Sequence, residues 1–395
     1  MPPINPTTAP RGVFLAMAFV AGGVVTNIYF NQPMLPLIAR DLGAPEGAIG
    51  LIPGFTVGGF ALGLATLVPL GDRHNRKTIV LAQIALAAVF AVLCAVAPNF
   101  PVLLAASLGL GVCSCVPQQM TPFAAAMAAP GERGRSVGIV VSGIMVGLLA
   151  GRAVGGALSA LVGWRPVFGV AAAFMVAVWF ITWKVLPDGV PTTTLSYTRL
   201  IASMGPLARE HRALRLAMAT QALMFVAFTG FWASLASLLA QPQYNLGPFW
   251  AGAFGIVGLA GALAANFGGR AADRVGPMRV LAFSFTIVTL AYVVLLFATT
   301  SMTALIVGVI VLDLGCQSAL IANQTRVFGL DPKAQGRVNT LFMVATFLGG
   351  SVGAALSGWL MARYGWTGVA CMGCAAGLAA GAIHANSFSR ELAPL

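Results

Sequence analysis

The stretch Leu70-Gly71-Asp72-Arg73-His74-Asn75-Arg76-Lys77 closes one long apolar run and opens the next, and its core returns later as Ala272-Asp273-Arg274. The two Asp-Arg pairs are 201 residues apart. Gly134-Arg135 returns as Gly336-Arg337 and Gly163-Trp164 as Gly365-Trp366, each at 202, and Ala157-Leu158-Ser159 returns as Ala355-Leu356-Ser357 at 198. A constant offset near half of 395 residues reads as a duplication: two bundles of one orientation, related by an axis along a membrane normal.

The membrane enters through composition. With 58% hydrophobic and 8% charged residues, most of the chain belongs in hydrocarbon. Twelve apolar runs, each about 20 residues or more, are long enough to cross a bilayer as helix: roughly 13–37, 47–70, 78–98, 101–128, 137–161, 165–187, 214–240, 247–268, 279–299, 302–325, 339–362 and 365–386. Their length and their Ala and Leu content argue for helices over strands. The expected fold is an all-α membrane protein of 12 transmembrane helices in two pseudo-symmetric six-helix bundles. They take residues 1–187 and 214–395, joined by a linker at 188–213 in which 195–212 is expected to form a short amphipathic interfacial helix. The first run is too long for a signal sequence and reads as a first span.

Of 22 Lys and Arg, only Arg40, Arg165 and Arg363 fall in loops after odd-numbered spans, and Arg152 lies within span 5. The positive-inside rule then puts both termini in the cytoplasm. The formal charge of +12 is thereby topology, and no nucleic-acid partner is implied. All six cysteines lie in apolar runs without a His or acid at ligand spacing, so neither a disulfide framework nor a metal site is expected.

Asp313 is the one acid of ten set inside an otherwise uncharged run, and Arg152 is the one base so placed. A charge at bilayer depth costs about 2.5–3.5 kcal/mol on insertion scales, which marks both as functional candidates. Gly143, Gly147, Gly151 and Gly155 form a small-residue row that serves either plain packing or rocking contacts between bundles.

The quoted loop and its second copy resemble the signature loop G-x-L-a-D-R-x-G-R-K of the major facilitator superfamily. Leu70, Asp72, Arg73, Arg76 and Lys77 match, as do Gly269, Asp273, Arg274 and Gly276, whereas Asn75 stands at a usual glycine. The resemblance covers essentially the whole chain and implies the major facilitator fold. It also implies a cytoplasmic latch built on Asp72, Arg73 and Arg76, with Asp273 and Arg274 as counterparts. The run from Gly147 to Gly156 resembles the span 5 antiporter motif G-x-x-x-G-P-x-x-G-G, with Arg152 in place of proline. The strings from Asn27 to Pro33 and from Asp313 to Arg326 look like a bacterial branch of twelve-helix efflux proteins, of the drug:H+ antiporter-like kind.

In that fold spans 1, 4, 7 and 10 line the central cavity. Their polar and aromatic candidates are Asn27, Asn31 and Gln32; Gln118 and Gln119 beside Pro117, where a kink is expected; Gln221, Phe225, Phe228 and Trp232; and Asp313, Gln317 and Gln324. The last three share a stripe at i, i+4 and i+11. Each amide serves either cargo or an interhelical hydrogen bond, and the ring stripe serves either cargo or packing. Convergence of all four spans at similar depth would favour a site. Arg152 and Asp313, from opposite halves, are expected to interact directly or through water in at least one state. Protonation of Asp313 would then feel which way the cavity opens, unless the pair is static and only fixes packing.

The function expected is proton-coupled efflux of a small organic compound by antiport and alternating access. Proton symport importing a metabolite is the alternative. An integral membrane enzyme is a reading of another class, but there is no HExxH, phosphate loop or nucleophile elbow. The energy source is a proton gradient with no cofactor, and the partners are the small-molecule substrate and the lipid bilayer. One chain holds both bundles and is expected to work as a monomer. Few Lys among much Ala, Gly and Arg points to a bacterial chain, hence the inner membrane as its multi-pass address.

Overall fold

A computed structural model describes residues 10–45, 47–129, 131–189, 196–331 and 334–392. Among them run twelve long helices. α1 is Arg11–Tyr29, α2 Leu51–Arg73, α3 Arg76–Ala95, α4 Phe100–Met127 (interrupted at Ser114), α5 Arg133–Val162 and α6 Trp164–Val185. α7 is Arg212–Leu239, α8 Pro248–Val275, α9 Pro277–Leu295 and α10 Met302–Phe328. One continuous assignment over Gln335–Leu392 breaks at Gly365, where φ is 62°, giving α11 (335–364) and α12 (366–392). Twelve crossings put both chain ends on one side, here called the terminal side; the other is the far side.

Local chemistry sets the helix ends. Gly163 has φ 79° and Gly365 φ 62°, the left-handed region that glycine enters freely. Both copies of the Gly-Trp pair therefore turn the chain on the far side, and the indoles of Trp164 and Trp366 hydrogen-bond to Asp41 Oδ2 and to the Leu295 carbonyl. Asn75 caps α3 by accepting from the Lys77 amide at 3.0 Å. It also holds the start of the linker, accepting from the Gly189 amide and donating to Asp188 Oδ1. α4 restarts at Val116-Pro117, the expected kink. The linker forms two short helices, Tyr197–Ala202 and Met204–Glu210, where one was expected. Pro206 explains the break, since its ring displaces the carbonyl four residues back.

The glycine row of α5 packs within the first half. A Cβ on Gly143, Gly147 or Gly155 would collide with backbone of α1 or of Phe30 just beyond its end, at Ala18, Gly22 and Phe30. The second half repeats the contact, at an offset of 202 on α11 and 200 on α7: Gly349 and Gly353 of α11 press on Ala222 and Val226 of α7. The halves meet along two seams, α2 with α11 and α5 with α8. Gly50 faces Ala354 and Gly358 in one seam; Gly156 faces Pro248 and Gly252 in the other. These contacts begin at the far ends of the helices and reach about mid-span, so the molecule is closed on its far side. Exposed Leu62, Leu86, Phe180, Trp183, Phe283 and Leu290 lie on helices long and apolar enough to cross a membrane.

Candidate functional site

The polar centre of the protein lies on the α5–α8 seam. After Tyr29 the chain leaves α1 and winds through a short 3-10 turn, Gln32–Met34, which Pro33 favours by starting it without an amide donor. That turn carries Gln32 inward against Arg152 of α5. The guanidinium donates from Nε to Gln32 Oε1 at 3.0 Å. Its Cζ lies 4.0 Å from the ring centre of Trp232, 4.8 Å from that of Tyr29 and 5.8 Å from that of Phe228. With the side chain only 2% exposed, three ring faces and one amide oxygen stand in for water around the cation. Desolvated cation–π contacts of this kind contribute on the order of 2 kcal/mol.

Trp232 connects the two charges. Its face supports Arg152, and its Nε1–H donates to Asp313 Oδ1 at 3.3 Å. No ion pair joins Arg152 and Asp313 directly; the indole stands between them, a linkage that sequence reasoning missed. Asp313 is 4% exposed and fits because α8 is notched beside it. A Cβ on Gly258 would overlap Asp313 Oδ2 and the Trp232 ring, and one on Gly261 would press on the Asp313 side chain. Gly252 lets α8 approach the backbone of α5 at the Arg152 carbonyl, and Gly255 lies in ordinary contact with the Arg152 side chain. The spacing of Gly252, Gly255, Gly258 and Gly261 was the available signal.

The other candidates separate by depth, which corrects the expected convergence. Trp232 stands eleven residues beyond Gln221 on α7, about 16 Å along the axis at 1.5 Å per residue. On the terminal side of the centre, Gln221 Oε1 accepts from Asn323 Nδ2 at 3.1 Å. Asn323, not chosen from the stripe, thus faces α7, while Gln324 reaches Asn339 of α11 at 3.5 Å. Gln119 turns into its own half, donating to Gln83 Oε1 of α3 at 2.7 Å. Asn27 donates to Met175 Sδ of α6 and Asn31 to Thr56 Oγ1 of α2. Sequence spacing orders residues along one helix, but it does not fix depth between helices or which neighbour an amide meets. Gln118 and Gln317 are half-buried. Phe225 stacks on Phe228 at 5.3 Å and meets Phe347 of α11 edge-on at 5.2 Å, so that part of the ring stripe packs the second half.

Of the latch residues, Asp72 and Asp273 lie outside the described side chains. Arg73 and Arg274 are exposed. Arg76 is buried, with its Cζ 5.4 Å from the ring centre of Phe123 on α4. Among the described residues no cluster of His, Cys, Asp or Glu is arranged to hold a metal ion.

Comparison with known proteins agrees with this architecture. The chain is 33% identical over 379 residues, 96% of either chain, to the uncharacterized transporter YgaY of Escherichia coli O157:H7. It is 22% identical to a probable sugar efflux transporter of Helicobacter pylori, covering 93% of this chain and 92% of that one. Its fold superposes with a TM-score of 0.78 on a bacterial homolog of the human lysosomal transporter Spinster in an inward-facing, occupied conformation. That likeness, at 16% identity, spans 96% of this chain and 97% of the other. Residues 15–327 and 253–393 match the Major Facilitator Superfamily, and with the relatives and the twelve-helix architecture this shows that the chain is a multi-pass membrane transporter belonging to that superfamily.

Proposed function

We propose that this transporter is proton-coupled and moves a small organic compound by alternating access, with Asp313 as the group that gains and loses the proton. The observation that carries the reading is a buried carboxylate lodged in the notch of Gly258 and Gly261, one indole away from a buried cation on the opposite half. A charge balance shared between two halves changes when they tilt, so the proton affinity of Asp313 is linked to which side is open. The uneven distribution of Lys and Arg supports both termini in the cytoplasm of a bacterial cell and the inner membrane as address. The side closed in this structure is then the one away from the cytoplasm. A single chain carries both halves and acts alone.

Export in exchange for protons is the direction we assign first, supported by the description of the Helicobacter pylori relative. Cotransport of compound and proton is the second reading, and a specific observation favours it: Arg152 Nη2 and Gln32 Nε2 find no acceptor among the described residues. A cargo using those donors competes with a charged Asp313 for Arg152 and binds best when Asp313 is protonated. The test is proteoliposomes with an internal pH dye, challenged with a compound library. Wild type moves protons on addition of a cargo, opposite to the cargo for exchange and with it for cotransport. Asp313→Asn abolishes the proton signal and retains cargo counterflow. Proton movement that persists unchanged in Asp313→Asn overturns the assignment.

A further inference from the structure

Around Arg152 the fold leaves two hydrogen-bond donors unused. Arg152 commits its Nε–H to Gln32 and one face to Trp232, yet its Nη2 meets no acceptor among the described residues. Gln32 has given its oxygen to Arg152, and its Nε2 is likewise unanswered. Both side chains are 2% exposed. Burying donors without acceptors is costly, and more so on a cation. Two such groups held side by side call for an acceptor from elsewhere. The gap beside them is lined otherwise by apolar groups, Pro33, Trp232, Leu235, Ala236 and Ala251, and in this closed state it is too tight to admit a water molecule.

We infer that these two donors and this lining form a carboxylate subsite that is filled when the α5–α8 seam loosens: a small organic acid places its carboxylate on Arg152 Nη2 and Gln32 Nε2 and lays a compact apolar body against Trp232 and Leu235. The donors supply no acceptor of their own, which disfavours ammonium groups, and a guanidinium bonds carboxylate more strongly than a neutral carbonyl. The inference rests on the transport reading of this site and extends its cotransport form. A bound carboxylate takes over the neutralisation of Arg152, so it is held best when Asp313 is uncharged. Among the described residues, the other titratable groups that interact with Arg152 or Asp313 are Tyr29 of α1, Tyr292 of α9 and Cys316 of α10. Phenols and thiols are ordinarily uncharged at neutral pH, and the last two donate to the Ala227 and Met224 carbonyls. Asp313 is the negative charge that competes.

The full chain in lipid nanodiscs, titrated with benzoate, benzamide and benzylamine at neutral pH, tests this. Benzoate is expected to bind at least about tenfold tighter than benzamide, with benzylamine weaker still. Arg152→Gln weakens benzoate by about 30-fold or more. Gln32→Leu weakens it less and is the second check should Arg152→Gln fail to fold. Asp313→Asn tightens it. Equal binding of benzamide or benzylamine, or unchanged benzoate affinity in a folded Arg152→Gln or Gln32→Leu protein, overturns the subsite. The proton signal in proteoliposomes is read separately. Benzoate binding that follows this pattern while Asp313→Asn leaves proton movement intact removes the coupling and keeps the subsite. Proton coupling without selective benzoate binding removes the subsite alone.

Discussion

The two seams between the halves are one contact built twice. Gly50 and Gly358 on the α2–α11 seam stand 202 residues from Gly252 and Gly156 on the α8–α5 seam, and both crossings are close enough that a Cβ would strike backbone. What differs is what lies next to them. Arg152 corresponds at that offset to Ala354, and Asp313 to Gly111. The notch itself has changed sides: on α8 Gly258 makes room for Asp313, whereas in the first half Gly111 makes room for the backbone at Thr56. Close approach is therefore common to both halves and needs no charge. The charge belongs to one seam, so the proton sensitivity proposed for Asp313 would reside there and not in the closure that the two seams share.

If that is right, a bulky residue at either crossing should be equally damaging. Gly252→Leu and Gly358→Leu are each expected to disfavour the far-closed state by about 3 kcal/mol or more, seen as raised labelling of far-side cysteine probes and loss of transport. A large defect from one and none from the other would break the equivalence. Asp313→Asn comes next and should separate the seams. Transport that varies with pH by up to about tenfold per unit, as a single essential titration allows, becomes flat, while far-side closure remains. Loss of closure in that variant would make Asp313 a packing residue.

The duplication also explains how much the sequence could reveal. Twelve spans, the Gly-Trp turns, the kink before Pro117 and the glycine row of α5 were legible, because length, periodicity and repeated punctuation are written along one chain. Asp313 and Arg152 were legible because charge in an apolar run is rare. Their connection was not. In sequence Trp232 is one ring of a stripe that serves either cargo or packing, and only its position between α5 and α10 makes it a bridge. Asn323 and Gln83 were passed over because spacing on a helix does not say which neighbour an amide meets, and Gln119 and Asn27 were assigned to a cavity although each turns into its own half. Asn75, a departure from the resembled loop, gained meaning once its cap and its hold on Asp188 were seen.

Two smaller substitutions sharpen the contrast. Trp232→Phe keeps a ring under Arg152 but removes the donor to Asp313, a hydrogen bond to a charged group expected to contribute about 1.5–3 kcal/mol. It should move the pH at which transport changes while leaving far-side closure in place, and an unmoved profile would show that the indole is only a spacer. The smallest effect is expected on the uncharged seam. Ser351 Oγ donates to the Gly54 carbonyl across α11 and α2 at 2.7 Å, and the position 202 residues earlier is Leu149, which has no such group to offer. Hydrogen bonds between membrane helices average about 0.6 kcal/mol, so Ser351→Ala should lower thermal stability only slightly. Because nothing ionisable is involved, the pH profile of transport should not move at all. A shifted profile would mean that the two seams exchange energy through the closure they share, and that the proton is felt on both sides of the molecule.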